Sequence, residues 1–215
     1  MKSALQPEVD TARWYEDKVR RFGYDYRGLG FRTRSSQEKR FEALLALGDF
    51  DRRRVLDVGC GFGDFLAFLN ERGIHPEYTG IDLCEAMVAR GCERFGTEAS
   101  FAACDVLEYT PERRPDYVVA SGLFGLDAEG ARDRIQPTIE RMFEWAVRGA
   151  AMNFLSCHTP MPVEDRVYVD PVEALQLGLT LTPAVRLDHS YLPNDFTLYL
   201  FKTPPWESES RQRTP

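Results

Sequence analysis

The stretch VLDVGCGFG, residues 55–63, decides the fold of this 215-residue chain. An apolar run leads into Gly59, Gly61 and Gly63, and a helical pattern begins near Asp64. A strand that passes through a glycine turn into a helix is the first half of a βαβ unit. Glycines have no Cβ, so a ligand can lie against the backbone of such a turn. The stretch therefore predicts a ligand site at the carboxyl end of the first strand.

Outward from this turn, strand-like and helix-like patterns alternate along the chain. Short apolar or β-branched runs predict five strands, at 53–60, 77–83, 100–106, 115–124 and 149–156. Helical patterns separate several of them, at 64–73, 85–95 and 135–147. The runs are almost unbroken in their apolar character, which is typical of strands covered on both faces. We therefore expect an α/β protein with a mostly parallel sheet and helices on both faces.

The last two strand-like runs are connected differently. AVRLDHSY (184–191) and DFTLYLFK (195–202) are separated only by LPN, which is too short for a helical crossover. They predict an antiparallel hairpin at the end of the sheet, which brings the number of strands to seven.

The segment before the glycine turn predicts a helical lid. Residues 11–23 form a short amphipathic helix, and a loop rich in Gly and Tyr follows at 24–34. Ser35 or Ser36 is expected to cap a second helix. Its apolar face comprises Phe41, Leu44, Leu45 and Leu47. The predicted division is a lid at 1–50, a core domain at 51–203 and a disordered tail at 204–215.

The charge of the chain argues against nucleic acid as a partner. Lys and Arg number 27 against 34 Asp and Glu, which gives a net charge of −7. Residues 1–54 carry 13 basic against 9 acidic side chains, so a basic N-terminal segment precedes an acidic body. Two interpretations of this segment stay open: it meets an anionic group on a substrate, or it is a solvated helix face with ion pairs to the body.

Composition also predicts a cytoplasmic protein without a membrane span. The longest apolar runs fall far short of the roughly 20 residues that cross a bilayer, and the N-terminus turns polar too early for a secretory signal. Five cysteines without a CxxC pattern are expected to be reduced thiols. With three histidines in the chain, and only Cys157 beside His158, we expect no metal site.

Acidic residues mark the ends of the first three strands. Asp57 precedes the glycine turn, Asp82 stands 19 positions after Gly63, and Asp105 follows the third strand. A carboxylate at the position of Asp82 can accept both hydroxyls of a ribose. Asp64 stands where dinucleotide-binding folds need Gly or Ala, and its charge would repel a pyrophosphate. The pattern predicts a nucleoside without phosphates, with Asp105 accepting from the exocyclic amine of an adenine.

In these motifs the chain resembles the class I S-adenosylmethionine (SAM)-dependent methyltransferases. VLDVGCGFG (55–63) resembles the glycine-rich first motif of that family, GIDLCEAM (80–87) its second motif and CDVLEY (104–109) its adenine-side motif. The resemblance covers residues 50–202. It implies a Rossmann-like, seven-stranded sheet and SAM as the cofactor.

The resemblance also implies a role for each of ten residues. Asp57 is expected near the ammonium of the cofactor, and Asp82 at its ribose. The residues expected at the methionine end are Asp57, Gly59, Gly61 and Ser121, and Gly63 is expected among the residues that bind the cofactor. Those expected at the adenosine end are Asp82, Leu83, Met87, Asp105 and Val106. For Met87 a role in core packing is an equal alternative.

A second resemblance extends over the whole chain. The words SSQEKRF (35–41), VVASGLF (118–124), MNFLS (152–156) and YLPNDFTLYL (191–200) are similar to those of small, mostly uncharacterised bacterial methyltransferase-like proteins. This resemblance supports the fold more than it defines a substrate.

Catalytic residues are less constrained, because methyl transfer depends on positioning and on stabilising a cation rather than on a nucleophile of the enzyme. Aromatic faces can hold a positive sulfonium, and the candidates are Trp14, Tyr15, Tyr24, Tyr26, Phe31 and Phe124. Polar candidates near strand ends are Asn153, Ser156, His158, Tyr168, Tyr191 and Asn194. His158 could act as a general base. Asn153 lies inside an apolar strand and needs a partner, which a backbone group could also provide.

The sequence favours methylation of a small molecule. SGLFGL follows the fourth strand, where amino-methylating DNA enzymes carry an NPPY-type word, which further weakens nucleic acid as a substrate. Protein or tRNA substrates stay open through the basic lid. One alternative uses SAM alone: attack on its aminocarboxypropyl chain, for example closure to azetidine-2-carboxylate with release of methylthioadenosine. A further alternative is a SAM-binding module without catalysis.

Overall fold

The structure is a computed structural model that describes residues 7–128 and 130–204. Helices and strands alternate through most of this range. The helices are α1 (Pro7–Phe22), α2 (Arg34–Leu45), α3 (Asp64–Asn70), α4 (Glu85–Phe95), α5 (Ile135–Trp145) and α6 (Pro171–Leu181). The strands are β1 (Arg54–Val58), β2 (Glu77–Asp82), β3 (Ala99–Ala103), β4 (Tyr117–Ala120), β5 (Gly149–Leu155), β6 (Val185–Leu192) and β7 (Asp195–Phe201).

The strands form one seven-stranded sheet in the order β3-β2-β1-β4-β5-β7-β6. β1 pairs in parallel with β2 and with β4. β7 lies between β5 and β6 and is antiparallel to both. This confirms the predicted Rossmann-like fold with its C-terminal antiparallel hairpin. The strand order reverses direction between β1 and β4, and such a reversal opens a crevice at the carboxyl ends of the strands.

Apolar side chains cover both faces of the sheet. Phe41 of α2 and Phe65 of α3 pack on one face, in the same cluster as Val119. Ile139 of α5 packs on the other face, in the same cluster as Val118. The two valines are both fully buried, because adjacent residues of a strand point to opposite faces. This double burial explains the unbroken apolar runs of the sequence.

Thr33 caps α2, which corrects the expected cap at Ser35 or Ser36. Thr33 Oγ1 accepts from Ser36 N at 3.0 Å, and Ser36 Oγ donates to Thr33 O at 2.8 Å. The expected cap lies too far along the chain because three hydroxyl residues, Thr33, Ser35 and Ser36, stand close together in the sequence. Thr33 has the extended backbone of an N-cap residue, and its side chain therefore caps the helix. The expected apolar face is present in part: Phe41 and Leu44 are buried, and Leu47 is buried beyond the end of the helix.

The N-terminal segment divides into two parts. α1 lies against α4, and the loop that follows it lies over the glycine turn. α2 instead packs into the core and contacts β5, β6 and β7. The boundary of the lid at residue 50 stays a prediction.

Helix α6 has no counterpart in the sequence interpretation. Asp170 caps it, since its Oδ1 accepts from Val172 N at 2.7 Å, and Pro171 occupies the first turn. Asp-Pro before an apolar run is a signal that could have identified this helix.

In the part of the chain that the structure describes, no helix is both long and apolar enough to cross a membrane. The predicted disordered tail, apart from Pro204, lies outside the described residues.

Candidate functional site

A cavity of about 750 Å³ lies at the carboxyl edge of the sheet. The glycine turn after β1, the end of β2 and the loop after β4 form one part of its wall. The end of β5, the segment 159–168 and residues of the N-terminal segment form the rest. Predicted site residues that line it are Tyr15, Asp57, Gly59, Gly61, Asp82, Leu83, Met87, Val106, Ser121 and Asn153. The fold thus brings most of the predicted site into one space.

The glycine turn requires glycine at two positions of the cavity wall. Gly59 and Gly61 have φ of +73° and +55°, a region that side chains rarely adopt. A Cβ on Gly61 would lie 2.5 Å from Leu29 Cδ2, and one on Gly59 would lie 2.8 Å from Leu123 Cδ1. The loop after α1 and the loop after β4 therefore close directly on the turn.

Gly63 has a different role from its two neighbours. It does not line the cavity, and a Cβ there would lie 2.7 Å from Phe95 and 2.9 Å from Phe101. The absence of a side chain at Gly63 allows α3 to begin against the aromatic side chains of α4 and β3. This close packing is the observed role of Gly63.

Asp82 is held in place by the backbone on both sides. Its Oδ2 accepts from Gly61 N at 2.9 Å, and its Oδ1 accepts from Cys84 N at 2.9 Å. Burial raises the pKa of this carboxyl, and the backbone donors oppose that rise. Each oxygen keeps a second lone pair for a ligand hydroxyl. The geometry suits the predicted contact with a ribose.

Asp57 lies deeper, under the glycine turn. Tyr78 Oη donates to its Oδ2 at 2.5 Å, and the residue is only 3% exposed. Burial raises the pKa of Asp57 to about 7, against the effect of the Tyr78 hydrogen bond, and the nearby Asp82 adds to the rise. A cationic group in the cavity would favour the ionised carboxylate, which suits the predicted ammonium contact.

The expected adenine end is formed in part. Leu83, Met87 and Val106 line the cavity. Asp105 does not line it: Arg134 donates to Asp105 Oδ1 at 2.5 Å, and Leu107 N donates to the same oxygen at 2.8 Å. Its predicted contact with an adenine amine stays a prediction.

The other end of the cavity contains aromatic and polar side chains. The predicted residues that line this end are Phe31, Phe124, Asn153, Tyr168 and Asn194. Tyr15 also lines the cavity, but it packs against the cluster of Phe62, Cys84 and Met87, near the expected adenosine end. Burial, followed by the nearby Asp82 carboxylate, raises the pKa of Tyr15 to about 12, while Arg166 opposes the shift. Tyr15 is therefore a neutral hydrogen-bond donor at ordinary pH.

Two predicted catalytic residues lie away from the cavity. Tyr24 is 55% exposed and its ring packs at 5.3 Å from the ring of Phe62. His158 is exposed and lies beside Cys157 and Asp170. One potential metal-ligand atom from each of the three residues lies within 4.8 Å of the other two. Asp170 Oδ1 is already engaged as the cap of α6. Neither Tyr24 nor His158 is in place to act on a ligand in the cavity.

Four further candidates also fall outside the wall of the cavity. These are Trp14, Tyr26, Ser156 and Tyr191. Ser156 instead bonds to His189, with Oγ 2.7 Å from Nε2, which agrees with a structural role for that histidine. Tyr191 does not line the cavity itself, but its hydroxyl is hydrogen-bonded to Thr197 and to Asp195, and Asp195 lines the cavity.

Sequence interpretation did not identify several polar residues of the wall. Gln37 and Arg40 project from α2, and both are buried. Gln37 Nε2 donates to Asp64 Oδ2 at 3.0 Å, and Arg40 Nε donates to Asp195 Oδ2 at 2.7 Å. Polar residues such as Gln37 and Arg40 on the polar face of a helix give no local sign that they are buried. The shared word SSQEKRF, which contains both residues, was the available signal.

The amide of Asn153 finds its partners in side chains rather than in the backbone. Its Nδ2 donates to Thr197 Oγ1 at 2.8 Å and lies 3.4 Å from Tyr191 Oη. Its Oδ1 is buried with no partner among the described residues, as are Ser121 Oγ and Thr138 Oγ1. All three residues line the cavity. Unpartnered buried polar atoms at a cavity wall suit a site that receives a polar ligand.

Comparisons with known proteins agree with this site. Residues 55–145 match the model of a family described as a methyltransferase domain. A Mycobacterium tuberculosis protein named "Putative methyltransferase Rv1506c" is 32% identical over 156 residues, which cover 69% of this chain and 92% of that protein. A trans-aconitate 2-methyltransferase of Methylobacterium radiotolerans is 34% identical over 179 residues, 73% of this chain and 62% of that enzyme.

Solved structures show the same fold at low sequence identity. Magnesium protoporphyrin IX methyltransferase from Synechocystis PCC 6803, with bound SAM, superposes with a TM-score of 0.70 at 14% identity. The alignment covers 94% of this chain and 100% of that chain. DhpI in complex with S-adenosylhomocysteine gives a TM-score of 0.70 at 16% identity, over 94% and 100% of the two chains.

Fold and cavity together define a Rossmann-like protein whose candidate site, at the carboxyl edge of its sheet, suits a nucleoside. With the similarities above, the chain belongs to the class I SAM-dependent methyltransferases, and its cofactor is SAM. The residues present fit that cofactor: Asp82 keeps lone pairs for a ribose, and Ser121 Oγ, at the wall of the cavity, is buried without a partner among the described residues.

Proposed function

We propose that this protein transfers a methyl group from SAM to a small-molecule acceptor. One observation carries the proposal: a single continuous cavity joins the glycine turn and Asp82 to the aromatic and polar residues at the ends of β4 and β5. A cofactor at the first end and an acceptor at the second would therefore meet without crossing bulk solvent. When bound, SAM supplies a methyl group activated by its sulfonium.

At the cofactor end, each residue has a distinct task. Asp82 accepts from the ribose hydroxyls, while Leu83 and Met87 provide apolar surface for the base. Asp57 faces the ammonium from below the turn, and its buried position gives that contact strength. Because Gly61 N is bonded to Asp82 Oδ2, the turn and the ribose acceptor are positioned as one unit.

At the acceptor end, enclosure favours a small molecule. Phe31 from the N-terminal segment and Phe124 from the loop after β4 line the cavity there. Their rings exclude water and offer π faces to a positive charge. The cavity holds about 750 Å³ in total, a volume within the ordinary range of small-molecule sites. A folded protein or RNA acceptor would need an opening that the N-terminal segment covers.

The acceptors named for the relatives include an acid. Trans-aconitate 2-methyltransferases are similar to this chain, and four arginines line its cavity, Arg32, Arg40, Arg134 and Arg166. Arg40 is paired with Asp195, whereas Arg166 bonds to Gly125 O at 3.2 Å. A site with several arginines in its wall is therefore compatible with an acceptor that carries an acidic group.

The test is to incubate the purified protein with SAM alone and then with SAM and a metabolite extract, while both nucleoside products are followed by mass spectrometry. We expect S-adenosylhomocysteine only when extract is present, and clearly less of it with the Asp82→Ala variant at a SAM concentration below the dissociation constant of the native protein. Methylthioadenosine formed from SAM alone would contradict the proposal and support attack on the aminocarboxypropyl chain. Binding of SAM without either product would support a non-catalytic module.

A further inference from the structure

A row of aligned side chains crosses the sheet at the acceptor end of the cavity. Ala120 pairs with Met152 between the parallel strands β4 and β5, so Ser121 and Asn153 follow at the next level. Asn153 in turn pairs with Thr197 of β7. Ser121, Asn153 and Thr197 are each separated by two positions from a residue of the core cluster beneath α2. Those residues are, in the same order, Val119, Ala151 and Tyr199. Because side chains two positions apart on a strand share a face, all three point to the face that α2 covers.

A directed chain of hydrogen bonds runs from this row to α2. Arg40 Nε donates to Asp195 Oδ2 at 2.7 Å, and Tyr191 Oη donates to Asp195 Oδ1. Thr197 Oγ1 donates to Tyr191 Oη at 2.9 Å, and Asn153 Nδ2 donates to Thr197 Oγ1 at 2.8 Å. An ionised carboxylate paired with an arginine only accepts, so each hydroxyl has its proton directed toward Asp195.

This polarity determines which way the amide of Asn153 faces. Thr197 Oγ1 has its proton engaged with Tyr191, so it must accept from the amide NH₂ group. The carbonyl Oδ1 is thereby left buried at the cavity wall, without a partner among the described residues. The residue itself is only 2% exposed. A turned amide would place NH₂ against the cavity and lose the bond to Thr197.

We propose that Asn153 Oδ1 receives an N–H of the reacting group, which makes the acceptor a small primary or secondary amine. This inference rests on the proposed function, because it requires SAM to bind beside Ser121, which is the neighbour of Asn153 in the row. A carbonyl oxygen attracts a donor hydrogen and repels the lone pairs of a carboxylate. Asn153 therefore acts as a selective contact for the nucleophile.

The chemistry of the wall favours an amine over a hydroxyl. The lone pair of the amine nitrogen forms the new N–C bond, the electron pair of the broken C–S bond stays on sulfur, and the nitrogen then releases a proton to water. Positive charge grows on the nitrogen, and Asn153 Oδ1 stabilises its N–H groups. A hydroxyl would need a base at the same place, and Asp195 is already engaged by Arg40 and Tyr191.

Binding of two cofactor analogues tests this contact without an acceptor. Sinefungin carries a primary amine on carbon in place of the methylated sulfur, whereas S-adenosylhomocysteine has a bare sulfur there. Calorimetry on the full chain would give both dissociation constants for the native protein and for Asn153→Leu. We expect the preference for sinefungin to fall by about tenfold or more in Asn153→Leu, because a hydrogen bond to a charged donor is lost.

Further variants keep the test sharp. Asn153→Asp should retain or increase the preference, since its carboxylate also accepts from the amine. Thr197→Val should lower it while Asn153 is still present, because the amide loses the partner that orients it. The matched control is Thr182→Val, which removes a buried hydroxyl away from the cavity wall and should leave the preference unchanged.

The outcomes separate this inference from the proposed function. Failure of S-adenosylhomocysteine to bind the native protein would contradict the cofactor site itself. Normal binding with an unchanged sinefungin preference in both Asn153→Leu and Thr197→Val would overturn the amine contact alone. Melting temperature and affinity for S-adenosylhomocysteine show that each variant is folded. Should Asn153→Leu fail to fold, the comparison of Thr197→Val with Asn153→Asp decides.

Discussion

Arg40 and Asp195, which are 155 positions apart, form a buried ion pair with Nε 2.7 Å from Oδ2. Their side chains are 9% and 1% exposed. The pair ties α2 of the N-terminal segment to the start of β7 at the wall of the cavity. It also explains one of the basic residues of that segment, which pairs with the acidic body instead of meeting solvent.

Breaking this pair from one side should destabilise the fold strongly. Arg40→Met leaves the Asp195 carboxylate buried without its cation, which costs about 3–5 kcal/mol in free energy of unfolding. The double variant Arg40→Met/Asp195→Asn should lose clearly less, because no unpaired charge remains. Urea unfolding measures both. The exposed pair Arg20–Asp17 is the control, and Arg20→Met should change stability by less than about 1 kcal/mol. A double variant that loses as much free energy of unfolding as Arg40→Met, or more, would contradict the argument.

Removal of the Asp82 carboxylate should weaken cofactor binding. Asp82→Ala removes the proposed acceptor of the ribose hydroxyls and one anchor of Gly61 N. We expect a loss of about 1–3 kcal/mol in the binding free energy of S-adenosylhomocysteine, measured by calorimetry. Asp17→Ala, on the exposed face of α1, should bind normally. An unchanged affinity for Asp82→Ala would refute the ribose assignment.

Two glycine variants separate backbone strain from ligand contact. Gly61 and Gly73 have φ of +55° and +73°, so alanine at either position costs about 1–2 kcal/mol in stability. A Cβ on Gly61 would also meet Leu29 at 2.5 Å, whereas one on Gly73 has nothing within 4 Å. Thermal unfolding should show a loss in both variants, while only Gly61→Ala should also bind S-adenosylhomocysteine more weakly. Equal binding by the two variants would mean that the turn does not face the cofactor.

The buried Asp57 should make stability depend on pH. Burial raises its pKa in the folded protein to about 7, against about 3.9 for an Asp in an unfolded chain. The folded state then holds the proton more tightly, so this contribution is full below about pH 4 and is lost as the pH rises through about 7. Relative to Asp57→Asn, the native protein should lose up to about 4 kcal/mol between these limits. Urea unfolding at several pH values measures the difference.

Asp116 provides the opposite sign as a control. Burial alone would raise its pKa, but the hydrogen bonds from Arg54 N and the Arg148 side chain outweigh burial and lower it. Its contribution is therefore present above the unfolded pKa and is lost as the pH falls through the folded one. Relative to Asp116→Asn, the native protein should lose stability toward acid. The same pH trend in both comparisons would contradict the assignment at Asp57.

Much of the fold follows from local pattern alone. The strands β1–β5 and the final hairpin were predicted because buried strands leave unbroken apolar runs, and a three-residue gap excludes a crossover. The glycine turn and Asp82 were predicted because their chemistry is encoded within 28 consecutive residues, from 55 to 82. Helix α6 escaped notice because its apolar run begins at a proline and carries few charges.

The acceptor end of the site shows where pattern is insufficient. Asn153 lies in β5 and His158 follows the same strand, and local sequence does not show that Asn153 is buried at the wall of the cavity while His158 is exposed. Tyr15 and Tyr24 are both aromatic residues of the predicted lid, and only the packing of α1 against α4 brings Tyr15 to the cavity. Their positions depend on how separate elements cross.

The sequence by itself determined the class of fold and the glycine turn, and it predicted Asp82 as the ribose carboxylate, because each depends on neighbours along the chain. Only the tertiary structure decided the bond between Arg40 and Asp195 and the direction in which Asn153 presents its oxygen. Those features require β7 to insert between β5 and β6 beneath α2, a pairing between distant segments that no local periodicity specifies.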